Sequence, residues 1–445
     1  MSRTLAVISL GCAKNLVDAE VAVGELLADG YELTPDEEAA DVVLVNTCAF
    51  IAPARDEGRR VLAELSGRIK PDATLAVTGC WPQLAADAFA REFERVDVVL
   101  GVGAAARLAH AVREAASGRR VIDVGRPRPP LAGVAERPRL TAPHVSFLKI
   151  AEGCDHPCSF CTIPRLRGPY RSRDADDVVR EAEYAAARGV AELILLAQDS
   201  SRYGEELGRG LNLAALLRRL DGAGVPWLRV LYLHPARLTE ELLGAFADVE
   251  AVVNYVDVPL QHVAPHLLEA MGRPAWTPEE ALARLEHVRA SVPGAAFRTS
   301  FIVGFPGETD DDVELLADFI RAARLDHVGV FEFSPEEGTP AAALPDRPSR
   351  EAAAARREEL MLRQQDVLAE LYRELRGRSF DVLVDRVTPE GVAVGRTYFQ
   401  GPEGDPVTLI PDAGELTPGR FARVEIAGWE GYELVARAAR GARRA

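Results

Sequence analysis

Apolar strands alternate with amphipathic helices in two long series along this chain, and that alternation constrains the fold more than any other feature. In the first series the strand candidates are Leu5–Leu10, Asp41–Asn46, Thr74–Thr78 and Val96–Leu100. Helices are predicted near residues 16–28, 54–65, 82–93 and 104–116. The strands are continuously apolar rather than alternating, which is the pattern of a parallel sheet covered on both faces. The second series predicts strands at Val145–Ile150, Glu192–Ala197, Trp227–Leu233, Val252–Val258, Phe297–Val303 and Val328–Phe333, again separated by helices. Six strand–helix units in about 200 residues point to a parallel barrel or an open part of one.

The rest of the chain divides around these series. Residues 125–143 are rich in Pro and Arg and read as a linker. Residues 349–376 hold no Gly or Pro and predict a long helix. Short strands then follow at Phe380–Val384, Gly391–Gly395, Pro406–Ile410, Arg420–Ile426 and Glu433–Ala436, the pattern of a small OB-like β-barrel, and the basic tail Arg437–Ala445 is expected to be disordered. The fold class is α/β, with expected domains at 1–124, 144–376 and 377–445. A chain of 445 residues needs two or three cores, in agreement with this division.

Charge and hydropathy exclude several function classes. No run approaches the roughly 20 apolar residues of a membrane span, and the first residues lack the features of a signal peptide. The formal net charge is −16, which argues against broad nucleic-acid binding, because that relies on neutralising phosphates. Six cysteines are too few for a disulfide scaffold, so their placement carries the information.

Three of them form a C-x3-C-x2-C run, Cys154, Cys158 and Cys161, directly after the first strand of the second series. Thiolates bind soft metals, and a short loop can hold three corners of a four-iron cluster, leaving one iron open to chelate a small molecule. The competing reading is a zinc site completed by His156, although structural zinc usually draws on two separated pairs of ligands. The other three, Cys12, Cys48 and Cys80, each follow a strand of the first series. In an open parallel sheet those ends face one crevice, so three thiols about 35 residues apart are brought together there. The alternative is three buried cysteines serving as small hydrophobes.

The C-x3-C-x2-C loop after a first barrel strand resembles the radical S-adenosylmethionine superfamily. That resemblance implies a [4Fe–4S] cluster whose open iron binds S-adenosyl-L-methionine, which is cleaved on reduction to a 5′-deoxyadenosyl radical. It also implies cofactor contacts from Gln198 and Asp199 after the second strand and from Gly304 and Glu308 after the fifth. With the spread cysteines and the terminal barrel, nearly the whole chain resembles the methylthiotransferase family. The resemblance implies two [4Fe–4S] clusters, one for radical generation and one carrying the inserted sulfur, and a terminal TRAM domain. It implies no acid–base dyad.

Two substrate branches of that family compete: an aspartate of small-subunit ribosomal protein twelve, and an adenosine of tRNA. The segments Gly11-Cys12-Ala13-Lys14-Asn15, Leu231-Tyr232-Leu233-His234-Pro235 and Pro259-Leu260-Gln261-His262 resemble the ribosomal-protein branch. The Gln-Met-Asn and Pro-Val-Gln-Ser-Gly segments usual in the tRNA branch do not occur. From Arg378 to Val435 there are five basic and ten acidic residues, which suits a basic protein partner better than RNA. The family's acidic word after Gly395-Arg396 is replaced by Thr397-Tyr398-Phe399-Gln400. An electron donor such as flavodoxin or ferredoxin, a cytoplasmic location and a monomer are expected. Arg165, Arg167, Arg171 and Arg173 form either a carboxylate-pairing group or a solvated face, and His234 and His262 end strands on the presumed site side.

Overall fold

The first six strands pair in the order β2-β1-β3-β4-β5-β6, all parallel. They are β1 (Arg3–Ser9), β2 (Tyr31–Leu33), β3 (Val42–Thr47), β4 (Thr74–Gly79), β5 (Val98–Leu100) and β6 (Val121–Asp123). The computed structural model describes residues 3–127, 137–208 and 210–439. β3 and β4 are buried at every residue, as continuous apolar runs under helices on both faces require. β2 and β6 are three-residue edge strands absent from the sequence reading, too short to show a period. The helix expected over 82–93 is two helices, Cys80–Leu84 and Ala86–Glu92, broken where Ala85 leaves helical geometry.

The second series begins at β7 (Val145–Lys149), followed by a two-residue ladder between β8 (Ala151–Glu152) and β9 (Arg171–Ser172). β10 (Glu192–Leu196) pairs in parallel with β7 on one side and with β11 (Trp227–Val230) on the other. β12 (Tyr255–Asp257), β13 (Ala296–Val303) and β14 (His327–Glu332) form a second parallel trio. A single bridge, Leu228 to Val252, joins the trios. The result is a six-stranded partial barrel in sequence order, with no pairing between β7 and β14 among the described residues. The strand expected over Trp227–Leu233 ends at Val230, because Tyr232 takes a left-handed φ of 62° that a ladder cannot continue.

The helix Arg350–Leu375 leads to a closed barrel of β15 (Ser379–Val387), β16 (Ala393–Arg396), β17 (Thr408–Ile410), β18 (Phe421–Glu430) and β19 (Glu433–Ala438), in the order β15-β16-β17-β19-β18. Arg437, expected in a disordered tail, lies in β19. Residues 440–445 of that tail and 128–136 of the expected linker lie outside the described residues.

The small barrel seats against the amino-terminal ends of the larger barrel's strands. Buried Arg396 pairs with Glu192, the first residue of β10, and donates to Asp385 at 2.8 and 2.9 Å. Arg229 donates to Glu192 at 2.6 Å and to the Tyr398 carbonyl at 2.8 Å. Tyr255, which opens β12, donates its hydroxyl to Asp405 at 2.6 Å. The segment after Gly395-Arg396 that departs from the family word is therefore the seam between the two barrels. That leaves the carboxyl ends of the larger barrel's strands open toward the first sheet.

Candidate active site

Cys12, Cys48 and Cys80 stand at three neighbouring strand ends. β1, β3 and β4 run in register, with Ser9 opposite Asn46 and Thr47 opposite Gly79. Cys48 follows β3 directly and Cys80 follows β4 directly. Cys12 is the N-cap of helix α1 (Ala13–Ala28), and its side chain makes no capping bond, so the thiol remains available. Two glycines make the convergence possible. A Cβ at Gly11 (φ 101°) would stand 2.7 Å from the Cys48 Cβ, and one at Gly79 (φ 105°) 2.3 Å from Asn46 Oδ1.

The Cys154–Cys161 loop is fixed by its backbone. The Cys154 N–H donates to the Gly168 carbonyl at 3.1 Å, and the Ser159 N–H to the Met271 carbonyl at 3.0 Å. The three thiols face the carboxyl ends of the barrel strands, toward the first triad. All six cysteines are free thiols and line one cavity of about 350 Å³.

Burial pushes the Cys80 and Cys161 thiols up to about 12 and Cys154 to about 11, and raises Cys48. Burial thus favours the protonated thiols, and a bound metal cluster would favour the thiolates. Among the described residues, no three His, Cys, Asp or Glu side chains close on a single ion. His156, the fourth ligand of the zinc reading, bonds Asp199 Oδ2 at 2.7 Å through Nε2, which leaves only its Nδ1 to face a metal.

A buried charge network forms the wall between the two triads. Arg167 is 2% exposed; it pairs with Asp18 of α1, bonds the Asn15 side chain and donates to Cys80 Sγ at 3.4 Å. Lys149 donates to Asp18 at 2.5 Å and to Glu152 at 2.7 Å. Burial alone would push the Glu152 carboxyl up, but Lys149 and Arg167 hold it at about 2. Gln198 donates to Glu152 at 2.5 Å, and its Oε1 is buried without a hydrogen-bond partner among the described residues. Across the cavity the His156 and His234 rings stack 4.4 Å apart. His234 Nδ1 accepts the Ala236 N–H, which places the neutral ring's proton on Nε2. Burial first, then the Arg273 guanidinium, press the His234 ring down to about 3.

Comparison with known proteins decides the family. Residues 148–320 match the Radical SAM superfamily, 4–101 an uncharacterized protein family (UPF0004), and 377–439 the TRAM domain. The chain is 42% identical to "Ribosomal protein uS12 methylthiotransferase RimO" of Synechococcus sp. (strain CC9605), over 97% of this chain and 94% of that one. It is 39% identical to the protein of the same name from Pelotomaculum thermopropionicum, over 98% and 99%. The chain belongs to the RimO family of radical SAM methylthiotransferases. Its cofactors are S-adenosyl-L-methionine and iron–sulfur clusters. The fold is shared with the radical S-adenosylmethionine methyltransferase TsrM of Kitasatospora setae, at a TM-score of 0.57 and 17% identity over 88% of this chain and 78% of that one.

Within this RimO-family site the residues named from sequence separate into two groups. The six cysteines, Gln198 and Asp199 line the cavity, and His234 does too. Gly304, Glu308 and His262 are not among its lining residues. Glu308 accepts the Gly304 N–H at 2.6 Å and pairs with Arg356 of the long helix at 2.6 Å, and its Oε1 has no hydrogen-bond partner among the described residues. His262 Nδ1 accepts the Ala264 N–H at 3.0 Å, the lone pair's use in a turn. The solvated-face reading fails for Arg167 and for Arg173, which is buried and donates to Glu181 at 2.6 Å.

Among the cavity residues to which the sequence reading assigned no role are Lys14, Tyr232, Gln261 and Arg273. Tyr232 and Gln261 hold φ of 62° and 73°, two of four non-glycine residues with positive φ among the described residues. Both stand in segments quoted for their family resemblance, but backbone strain has no sequence signature. Arg273 places Nη1 4.0 Å from Cys158 Sγ and donates Nη2 to the Pro259 carbonyl at 2.9 Å.

Proposed function

We propose that this chain methylthiolates the β-carbon of an aspartate in ribosomal protein uS12. Cys154, Cys158 and Cys161 would hold one [4Fe–4S] cluster and Cys12, Cys48 and Cys80 the second. When bound, the clusters and S-adenosyl-L-methionine supply the radical, the sulfur and the methyl group that convert C–H to C–S–CH3. The observation that carries this reading is the single cavity lined by both cysteine triads. One substrate carbon can then face both sets of thiols without leaving the protein.

The chain's own residues orient the reactants. Gln198 and Asp199 reach the cavity from the end of β10, where a cofactor seated over the 154–161 loop would meet them. The Gln198 Oε1 has no hydrogen-bond partner among the described residues and suits an amino group. Gly304 and Glu308, at the turn that follows β13, would add the remaining cofactor contacts. The division of labour is residues 1–124 for the second cluster, 144–376 for radical generation and 377–445 for docking. The protein substrate is favoured by the branch segments, by relatives named for uS12 and by the acidic terminal barrel. A low-potential donor such as flavodoxin or ferredoxin supplies the electron.

The test is a competition. Reconstituted enzyme, reductant, S-adenosyl-L-methionine and sulfide are given uS12 and bulk tRNA together, and mass spectrometry locates the methylthio group. An aspartate of uS12 is the expected site. Modification confined to tRNA would overturn the substrate assignment.

A further inference from the structure

Lys14 is a buried amine that makes no direct hydrogen bond or ion pair among the described residues. It is 7% exposed and lines the cavity between the triads. Its Nζ stands 3.3 Å from the centroid of the Tyr232 ring. Three of the carboxylates nearby are already engaged, while Glu403 of the small barrel, which attracts Lys14, makes no ion pair among the described residues. Asp18 and Glu152 are taken by Lys149 and Arg167. Asp257 accepts the Tyr232 N–H at 2.9 Å and lies 3.6 Å from Arg298. At this wall Lys149 and Arg167 share two carboxylates, Asp18 and Glu152, and Lys14 bonds to neither.

A buried amine without a direct hydrogen-bonding partner is costly, and a ligand that brings an anion to it relieves that cost. Residue choice supports this. Only three of the chain's 52 basic residues are lysine, and two of the three, Lys14 and Lys149, stand at this wall. A compact ammonium with three rotatable donors fits a cavity where a planar guanidinium would not turn. The Tyr232 face holds the ammonium in place while leaving its donors free, and the strained φ of Tyr232 aims that ring.

We propose that Lys14 is the specificity residue for the substrate side chain: its ammonium receives the carboxylate of the target aspartate and so presents the adjacent β-carbon between the two triads. The proposal rests on the uS12 reading above.

The experiment measures binding of fluorescently labelled uS12 to reconstituted enzyme by anisotropy, with the native aspartate or with that residue changed to asparagine. The native enzyme is expected to prefer the aspartate form by about tenfold, as for a charge-assisted pair. Lys14→Met should bind both forms alike, and Lys14→Arg should recover part of the preference. Retention of the full preference by Lys14→Met, or equal binding of both forms by the native enzyme, would overturn the proposal. A fall in iron and sulfide content in Lys14→Met would also overturn it, by assigning the ammonium to the cluster side. If mass spectrometry finds no methylthio group on uS12 with the native enzyme, the substrate reading itself has failed and Lys14 falls with it.

Discussion

Arg167 donates Nη2 to Cys80 Sγ across 3.4 Å, and the two residues stand on short helices of different domains. Arg167 closes the short helix Ile163–Arg167 behind the three-cysteine loop, and Cys80 opens the helix after β4. Through Asp18 and Asn15 the same guanidinium also grips α1. One buried side chain therefore fixes where one triad lies relative to the other.

Removing it has a calculable effect. Arg167→Met would leave Asp18 and Glu152 buried with Lys149 alone, a loss of about 3–5 kcal/mol. Chemical denaturation should show this drop, with Arg167→Lys intermediate because it keeps the charge and loses the fork. A loss below about 1 kcal/mol would mean the network is not a structural tie.

Iron counting separates the triads. The reconstituted chain should hold about eight irons, and Cys48→Ala and Cys158→Ala about four each. Cys158→Ala is expected to end 5′-deoxyadenosine formation, and Cys48→Ala to end formation of the methylthio product. The reverse pairing would exchange the two roles.

The backbone that converges the first triad should tolerate no side chain at Gly79. An added Cβ would meet Asn46 Oδ1 at 2.3 Å and the Thr47 carbonyl at 2.4 Å, at a φ of 105°. Gly79→Ala should cost about 1–3 kcal/mol in strain and lower iron retention at the first triad. Iron content equal to the native chain would show that the strand ends can shift.

The seam between the barrels sets an acid limit. Burial alone would raise the Glu192 and Asp385 carboxyls, but Arg396 and Arg229 hold Glu192 below its ordinary value, and His144 and Arg396 do the same for Asp385. A carboxyl whose folded value is depressed stabilises the fold above its unfolded pKa, and that contribution is lost as pH falls through the folded value. The melting temperature should therefore be insensitive to this pair at neutral pH and fall below about pH 4.5. Glu192→Gln should melt lower at pH 7 and show a shallower acid dependence.

His234 is expected to stay neutral from pH 5 to 8, since burial and Arg273 hold it near 3. Its native state cannot take the proton that the unfolded chain accepts below 6.5, so it costs stability as pH falls through that value. Imidazole nitrogen resonances that do not move over that range would confirm it. A midpoint near 6.5 would show a solvated ring.

Much of this was legible in the sequence because two signals are local. Continuous apolar runs announce buried parallel strands, and a thiol just after such a run must sit at the sheet's ligand edge; hence Cys12, Cys48 and Cys80 could be brought together before any coordinates. What escaped is non-local or conformational. Edge strands such as Tyr31–Leu33 owe their structure to a neighbour's hydrogen bonds rather than to their own pattern. Arg167 looks like a surface arginine until Asp18, 149 residues away, supplies its partner. Tyr232 and Gln261 enter the cavity through left-handed backbone, which their side chains do not encode.

The interlocked seam at Glu192, Arg396 and Asp405 bears on how this chain could be re-engineered. The small barrel is not a detachable module, because its 396–405 segment serves as the floor of the larger one. A chimera that takes the terminal barrel from a tRNA-modifying relative inherits a foreign floor. It would be a hybrid in both domains unless residues 192, 229, 255 and 298 travel with the graft.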